Sequence, residues 1–242
     1  MDAEHVHLDF GGSAKTSSLA MRAPWWFDAW AGISHNHGMY LPKYFEVDDV
    51  AVLQAHIAAH PLATWATSVD GEIVVNHVPF RLDVARRVLV GHVARANPVW
   101  RRLSSSVLVF QGPSAYVSPS FYPSKAIHHR HVPTYNYAVV HAHGTPRVVD
   151  DPAALLAILT LQTTTHEATQ PMPWSIDDAP ADFVAQLLQA IVGIEVPVDK
   201  LVGKWKVSQN RDDVDSAGVV AALRARDPHD LMADLVEQHR PR

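Results

Sequence analysis

Polar and aromatic residues crowd the ends of the predicted strands between residues 91 and 143, where an ordinary apolar core would not need them. Binding residues tend to collect on loops that a rigid scaffold holds in place. A ligand with a flat apolar part and a charged part would suit such a lining. The side chains that could serve it are Arg95, Asn97, Gln111, Tyr116, Ser118, Ser120, Tyr122, Lys125, Asn136 and Tyr137.

The segment at residues 95–98, Arg-Ala-Asn-Pro, is the first candidate for anion binding. Asn97 is a favoured helix cap and Pro98 suits the first helical position, so the segment predicts a helix that begins at Pro98. The N–H groups and dipole of a helix start favour an anion, and Arg95 would add a charge with bidentate geometry. A capped helix beside a solvated arginine would account for the same four residues.

A second candidate is the segment at residues 204–210, Lys-Trp-Lys-Val-Ser-Gln-Asn. Side chains alternate along a strand, so Lys204, Lys206 and Ser208 would share one face. Two ammonium groups and a hydroxyl there could hold a phosphate, while Trp205 and Val207 would point into the core. An exposed basic edge that discourages strand pairing would have the same pattern.

Six aromatic residues lie in or next to these segments, and flat rings offer a stacking surface for a planar ligand. Tyrosine hydroxyls would add directional hydrogen bonds. Aromatic residues also fill β cores and dimer interfaces, so the set fits either role. Its members are Tyr116, Phe121, Tyr122, Tyr135, Tyr137 and Trp205.

Histidine is the remaining ligand type, with 16 in the chain. His141 and His143 would share a strand face, while the group at residues 128–131 is predicted to be solvated in a loop. His77 and His92 lie near strand ends. Neutral imidazole suits zinc, copper, nickel or haem iron, but neither a His-Glu-x-x-His motif nor a paired carboxylate accompanies these histidines. No metal site is therefore predicted.

Several chemistries are disfavoured by what the sequence lacks. Cysteine is absent, which rules out disulfides and thiolate chemistry and fits a reducing cytoplasm. Residues 118–120, Ser-Pro-Ser, do not form the Gly-x-Ser-x-Gly nucleophile elbow. Neither Gly-x-Gly-x-x-Gly nor a phosphate-loop motif occurs. The sequence therefore names no catalytic residue.

Charge and hydropathy limit the partners. The formal net charge is −5, whereas nucleic-acid-binding domains carry basic surfaces because phosphate neutralisation supplies most of their affinity. Direct contact with DNA would need a local basic patch, and the sequence contains no long one. No apolar run reaches the roughly 18 residues that a membrane span needs.

The surrounding pattern predicts the elements that would position these residues. Asp70-Gly71 between two β-branched runs is a hairpin turn, and Gly112-Pro113 is predicted to turn the chain. Strands are expected at residues 62–68, 73–80, 88–93, 107–110, 137–143 and 191–201. Helices are expected at residues 48–60, 152–165, 181–190 and 213–235.

Six or more short strands with mostly short connections favour an antiparallel sheet closed into a small barrel, with helices on its outside. The predicted fold class is thus mainly β with peripheral helices (α+β). Regular strand–helix–strand alternation is absent, which argues against a doubly wound parallel sheet.

From about Met39 to Asn210, the order and spacing of motifs resemble the PaiB family of FMN-binding transcriptional regulators. Tyr135 departs from the family pattern, which has tryptophan there, and the loop at residues 128–130, His-His-Arg, is unusual. The matching segments are Met-Tyr-Leu-Pro-Lys-Tyr-Phe at 39–45, His-Pro-Leu-Ala-Thr at 60–64, Asn-His-Val-Pro at 76–79, Gly-His-Val-Ala-Arg-Ala-Asn-Pro at 91–98, Phe-Gln-Gly-Pro at 110–113, Ala-Tyr-Val-Ser-Pro-Ser-Phe-Tyr at 115–122, Val-Pro-Thr-Tyr-Asn-Tyr at 132–137 and Gly-Lys-Trp-Lys-Val-Ser-Gln-Asn at 203–210.

The resemblance implies an FMN-binding split β-barrel of the pyridoxamine-phosphate-oxidase-like type, with FMN as cofactor. It implies a homodimer with the flavin at the interface between the two chains, and a role as a negative transcriptional regulator, or repressor. The domain limits expected from it are an N-terminal extension at 1–38, disordered or an over-long gene start, an FMN-binding domain at 39–210, and a C-terminal helical tail at 211–242 packed on the same domain.

Residues and resemblance together predict a cytoplasmic, non-enzymatic FMN-binding regulator. Three alternatives stay open: a flavin-dependent oxidoreductase acting on a small substrate, a haem-binding barrel whose axial ligand is His77, His92 or His141, and a repressor that contacts DNA directly. The candidates for the phosphate are Arg95, Asn97, Lys204, Lys206 and Ser208. The candidates for the ring system and ribityl chain are Gln111, Tyr116, Asn136 and Tyr137.

Overall fold

The computed structural model describes residues 38–241, so the predicted extension at residues 1–38 lies outside the described residues except for Gly38. The fold below is that of the compact unit that begins at Leu41. Within the described range, no helix is long and apolar enough to cross a membrane.

The described residues form nine strands in one sheet, which confirms the predicted antiparallel sheet of six or more strands. The strands are β1 (Glu46–Val47), β2 (Leu62–Val69), β3 (Glu72–Asp83), β4 (Val88–Ala94), β5 (Ser106–Val117), β6 (Thr134–Gly144), β7 (Arg147–Val149), β8 (Ile191–Pro197) and β9 (Lys200–Lys206). Their order across the sheet is β1-β9-β6-β5-β2-β3-β4-β8-β7. The predicted hairpin turn between β2 and β3 is confirmed, with Asp70 and Gly71 both at positive φ.

The sheet wraps around one main hydrophobic core, and a smaller cluster packs Val88 and Val90 of β4 against Ile158. The long strand β3 belongs to both halves of the sheet, because its first part pairs with β2 and its last part with β4. Side chains from both halves are fully buried in the same cluster, among them Trp65 of β2, Leu108 of β5, Leu89 of β4 and Ile194 of β8. The predicted closure into a barrel agrees with this common core.

Six helices of the described range cover the sheet. Asp49 caps the first of them by accepting a hydrogen bond from Ala51 N over 2.9 Å. Val219, Leu223 and Met232 of the last two helices lie in the main core. The helices are α1 (Val50–Ala59), α2 (Lys125–His128), α3 (Pro152–Glu167), α4 (Ala181–Gln189), α5 (Asp213–Arg224) and α6 (Leu231–Gln238). The prediction of one helix over residues 213–235 is wrong, because the chain leaves α5 at Arg224 and Asp230 caps a new helix.

Gly112-Pro113 does not turn the chain, contrary to the prediction. Strand β5 continues through it, and the pairing with β6 shifts register between Gln111 and Ser114 as a β-bulge. A bulge tolerates proline because the residue needs no ladder hydrogen bond there. Glycine is required for space, since a Cβ at Gly112 would collide with Cε1 of the His56 ring.

The single strand predicted over residues 191–201 is two strands. Strand β8 pairs with β4 and β7, whereas β9 pairs with β6 and β1. The chain therefore crosses from one half of the sheet to the other at residues 198–199. This crossing places the lysines of β9 beside β6.

Candidate functional site

One face of the sheet is open where β2, β3, β5, β6 and β9 turn alternate side chains away from the core. We call this the outer face. Ala63 and Trp65 of β2 point inward and are fully buried, whereas Leu62 points outward and is 60% exposed. On β3, Ile73 and Val75 are 72% and 52% exposed. Large apolar side chains exposed on one face of a sheet are typical of a surface that binds a ligand or another protein.

Lys204 and Lys206 lie on the outer face next to the edge strand β1, and Arg211, after the end of β9, is near enough for its charge to act on Lys206; we call these three cations the cationic flank. The β6–β9 register pairs Lys206 with Tyr137, and the Lys204 ammonium lies 5.5 Å from the centre of the Tyr137 ring. On the edge of β9 that does not pair with β6, the register partner of Lys204 is Glu46 of β1. The flank thus combines positive charge with an aromatic face.

The ammonium of Lys206 is held against its own strand edge. It donates a hydrogen bond to the Tyr135 carbonyl over 2.8 Å and another to the Thr134 hydroxyl. Burial lowers the pKa of Lys206, and the charges of Lys204 and Arg211 lower it further. A bound anion would relieve this repulsion, as a phosphate does at many clusters of cations.

Exposed tyrosines continue the outer face beside the cationic flank. Tyr116 and Tyr135 face each other across β5 and β6, with ring centres 5.7 Å apart in an edge-to-face arrangement. They are 44% and 59% exposed. Gln111 of β5 is also exposed. It is the register partner of Val139 on β6, and Val139 is in turn the partner of Lys204 on β9. The predicted ring-binding residues Gln111, Tyr116 and Tyr137 are therefore brought together with the lysines.

Asn136 and Ser208 do not join this group on the outer face. The strand ends at Lys206, and Ser208 has a φ of 67°, so the prediction that it shares a face with Lys204 is wrong. Asn136 Nδ2 donates to Ser208 Oγ over 2.9 Å, and both side chains are buried. The other half of that prediction is confirmed, because Trp205 is buried in the core.

Arg95 and Asn97 lie away from the cationic flank, after β4. The predicted helix is a single 3₁₀ turn at Pro98–Arg101, which Asn97 caps through Val99 N over 3.0 Å. Arg95 forms an ion pair of 2.7 Å with Asp150 and also donates to two backbone carbonyls. A phosphate seat at a helix start is therefore not formed in the single chain.

A second group of polar side chains lies at the opposite edge of the outer face, and we call it the histidine flank: His77, His92 and Gln162. His92 Nδ1 lies 3.1 Å from Gln162 Oε1, and Gln162 Nε2 donates to the Pro79 carbonyl over 3.2 Å. His77 Nδ1 lies 3.2 Å from the Thr64 hydroxyl. Helix α3, which carries Gln162, covers the neighbouring part of β4.

The histidine loop is partly buried, contrary to the prediction that it is solvated. The His131 side chain is 5% exposed, and its Nε2 lies 2.7 Å from Ser124 Oγ and 3.3 Å from Asp215 Oδ2. Burial lowers the pKa of His131 although Asp215 opposes it. Burial alone would raise the pKa of Asp215, but hydrogen bonds from Ser124 outweigh it and lower that pKa. Arg211 lies beside this group, 5.0 Å above the Tyr122 ring.

Two residues of the site escape sequence reasoning. Arg211 directly follows the basic segment at residues 204–210, so its charge is a usable signal. Gln162 gives no signal, because it is one polar residue among many on α3. His141 and His143 lie on the outer face with ring centres 6.4 Å apart, and burial lowers the pKa of both. Within residues 38–241, no group of three or more histidines and carboxylates is placed to hold a metal ion.

The antiparallel sheet closed around its main core defines a split β-barrel protein. A model of the family described as "Putative FMN-binding domain" matches residues 39–200, so the chain belongs to that family. The protease synthase and sporulation protein PAI 2 of Bacillus subtilis is 29% identical in a 206-residue alignment that covers 82% of this chain and 97% of that protein. The protein AN0679 of Emericella nidulans is 31% identical in a 226-residue alignment that covers 76% of this chain and 90% of that one.

A solved structure supports the fold alone. The flavocytochrome Anf3 of Azotobacter vinelandii superposes with a TM-score of 0.50 at 14% identity, covering 69% of this chain and 72% of that one. The chain is therefore a PaiB-like member of the FMN-binding family with a split β-barrel fold, and FMN is its cofactor.

The donors of the outer face fit FMN. Lys204, Lys206 and Arg211 offer cations for a phosphate dianion. The rings of Tyr116 and Tyr137 offer stacking surface for the flavin ring, and the Gln111 amide can serve a polar ring edge.

Proposed function

We propose that this protein acts as a homodimeric FMN-binding regulator of the PaiB type. The observation that carries the proposal is the juxtaposition of the cationic flank with exposed tyrosines on an apolar sheet face. Bound FMN would supply redox chemistry, while the protein supplies binding and electrostatics.

The FMN phosphate binds at Lys206 and Arg211 in this proposal, with Lys204 nearby. The pKa of Lys206 is lowered by burial and in part by its cationic neighbours, so a dianion gains charge-assisted hydrogen bonds and removes repulsion together. Arg95 is already paired with Asp150, and for that reason we assign it and Asn97 no direct phosphate contact within one chain.

The ring system lies along Tyr116, Tyr135 and Tyr137 in this proposal. The edge-to-face pair Tyr116–Tyr135 leaves both rings partly exposed. Gln111 stands at the bulge of β5 with its amide 3.5 Å from the Ala138 carbonyl, a weak contact that a ligand can replace. Asn136 supports the site from inside the sheet through Ser208.

A second copy of the chain covers the outer face in the proposed dimer. The cationic flank on β6 and β9 and the histidine flank on β3 and β4 are separated by β5 and β2. A two-fold axis running along the strands between β5 and β2 would place the cationic flank of one chain over the histidine flank of the other. The exposed Leu62, Ile73 and Val75 would then be buried between the chains.

The regulatory role is supported by similarity to the Bacillus sporulation protein and by the resemblance to PaiB regulators. The net charge of −5 argues that control of transcription does not depend on a broadly basic DNA-binding surface. A gel shift with salt titration tests direct contact, since phosphate-driven affinity must fall steeply with salt. The absence of cysteine suits a cytoplasmic location.

The test of flavin binding is an absorbance spectrum of the purified protein before and after mixing with FMN and desalting. We expect flavin bands that stay with a dimer at one FMN per chain. A bare protein spectrum under saturating FMN overturns the proposal. Turnover of NADH or NADPH by the loaded protein would instead assign it to flavin-dependent oxidoreductases.

A further inference from the structure

We propose that Nε2 of His92 accepts the hydrogen bond of the imide N–H of the flavin ring, and that Gln162 presets His92 for this role. The inference rests on the proposed function and names a contact for the ring rather than for the phosphate. It follows from the direction of two hydrogen bonds on the histidine flank.

The direction of the first bond is fixed by chemistry. Gln162 Nε2 lies 3.2 Å from the Pro79 carbonyl, and a carbonyl only accepts, so the Gln162 amide must present its NH₂ group there. Its oxygen Oε1 consequently faces His92 Nδ1 at 3.1 Å. An amide oxygen also only accepts, so Nδ1 of His92 must carry the proton.

The neutral His92 ring therefore presents a lone pair at Nε2. Among residues 38–241, Nε2 of His92 has no hydrogen-bond partner, whereas Gln162 is buried and held at both ends. A lone pair fixed in this way recognises a ligand N–H and disfavours a ligand carbonyl at the same place. The imide N–H is the ring N–H donor that oxidised flavin offers.

Neither other candidate histidine is preset in this way. The partner of His77 Nδ1 is the Thr64 hydroxyl, which can donate or accept, so its tautomer is not determined. Among residues 38–241, the His141 ring on β6 has no hydrogen-bond partner that would fix its tautomer. His92 thus combines a defined tautomer with a position at the edge of the outer face.

The position agrees with the two-fold arrangement of the proposed dimer. Phe80 pairs with Gly91, which sets His92 beside Pro79 at the boundary between β3, β4 and helix α3. The axis between β5 and β2 carries the tyrosines of one chain over this boundary in the other. A flavin ring stacked on those tyrosines would then reach His92 with its imide edge.

The experiment separates ring recognition from phosphate recognition by using lumiflavin, which has the flavin ring without the ribityl phosphate. We expect His92→Phe to weaken lumiflavin binding about tenfold, the range of one hydrogen bond, by fluorescence titration. The loss should vanish for the analogue methylated at the imide nitrogen, which binds wild type and variant equally weakly. His229→Phe, on the exposed linker between α5 and α6, is the matched control.

Gln162→Met supplies a second variant that keeps the imidazole. Nitrogen NMR of wild-type His92 should show the proton on Nδ1, and Gln162→Met should shift it toward the mixture of tautomers of a free imidazole. Lumiflavin affinity should fall several-fold with it. A wild-type ring protonated on Nε2 overturns the inference.

Two further results overturn the inference while leaving the proposed function standing. One is that His92→Phe leaves lumiflavin binding unchanged, or lowers the affinities for lumiflavin and for its imide-methylated analogue equally. The other is haem binding with a Soret band that His92→Phe removes while flavin binding is untouched, because the lone pair would then serve iron. Failure of wild type to bind any flavin overturns the proposed function itself, and the ring contact with it.

Discussion

Asn136 Nδ2 donates to Ser208 Oγ over 2.9 Å, and this buried bond joins the start of β6 to the turn that follows β9. The bond holds the strand ends that carry Tyr137 and Lys206. It therefore supports the cationic flank from inside the sheet.

Replacing Asn136 by Ala should lower the free energy of unfolding by about 1–3 kcal/mol, because the Ser208 hydroxyl loses its buried partner. Chemical denaturation measures the loss. FMN affinity of the fully folded variant should change less than threefold. A stable variant that has lost FMN binding would instead make Asn136 a direct ligand contact.

Replacing Lys206 or Arg211 by Gln should weaken FMN binding about tenfold or more, because each removes a charge-assisted bond to phosphate. Lumiflavin binding, measured by the same titration, should be unaffected. Arg95→Gln is the comparison: it breaks the ion pair with Asp150 and should lower stability without changing affinity. If Arg95→Gln lowers FMN affinity and Lys206→Gln does not, the phosphate lies at the end of β4.

Replacing Ile73 by Lys should convert the proposed dimer to monomer, because a charge would be buried between the two outer faces. Sedimentation velocity at micromolar concentration reads the oligomeric state directly. Val214→Lys is the control, since Val214 is 61% exposed on α5, outside the outer face. A variant at Ile73 that sediments like wild type would exclude the outer face as the interface.

His56 should make the fold acid-sensitive. Burial lowers its pKa to about 4 from an ordinary 6.5, while its bond to the Phe110 carbonyl opposes the shift. The neutral ring is favoured in the folded state, so its contribution is complete above pH 6.5 and is lost as the pH falls toward 4.

The check is the melting temperature of wild type and His56→Gln across that range. The difference in melting temperature between wild type and His56→Gln should narrow as the pH falls from about 7 to about 5. Wild type loses the contribution of His56, whereas glutamine keeps a donor for the Phe110 carbonyl and does not titrate. Parallel curves for the two proteins would show that His56 is not the titrating group.

Local sequence patterns predict the elements well where the signal is itself local. Asp49 caps α1 and Asp70-Gly71 forms the hairpin turn, each within a few residues of the pattern that predicts it. The alternation of side chains along a strand is also enough to predict that Lys204 and Trp205 point to opposite faces of the sheet.

The predictions fail where contacts between residues far apart in the sequence determine the local structure. Arg95 finds its carboxylate 55 residues away at Asp150, and no spacing rule indicates that pair. Gly112-Pro113 resembles a turn, but the ladder with β6 resumes beyond it as a bulge. Ser208 leaves the strand face because the chain must turn into α5, which tertiary packing imposes.

The crossing at residues 198–199 has a practical consequence for anyone who trims this protein. The family match ends at residue 200, where β9 begins. A chain cut at that boundary would lose β9, uncover the edge of β6, and leave an unpaired strand open to aggregation. The smallest autonomous unit must therefore extend past the matched region and through α6, whose Met232 and Val236 complete the core.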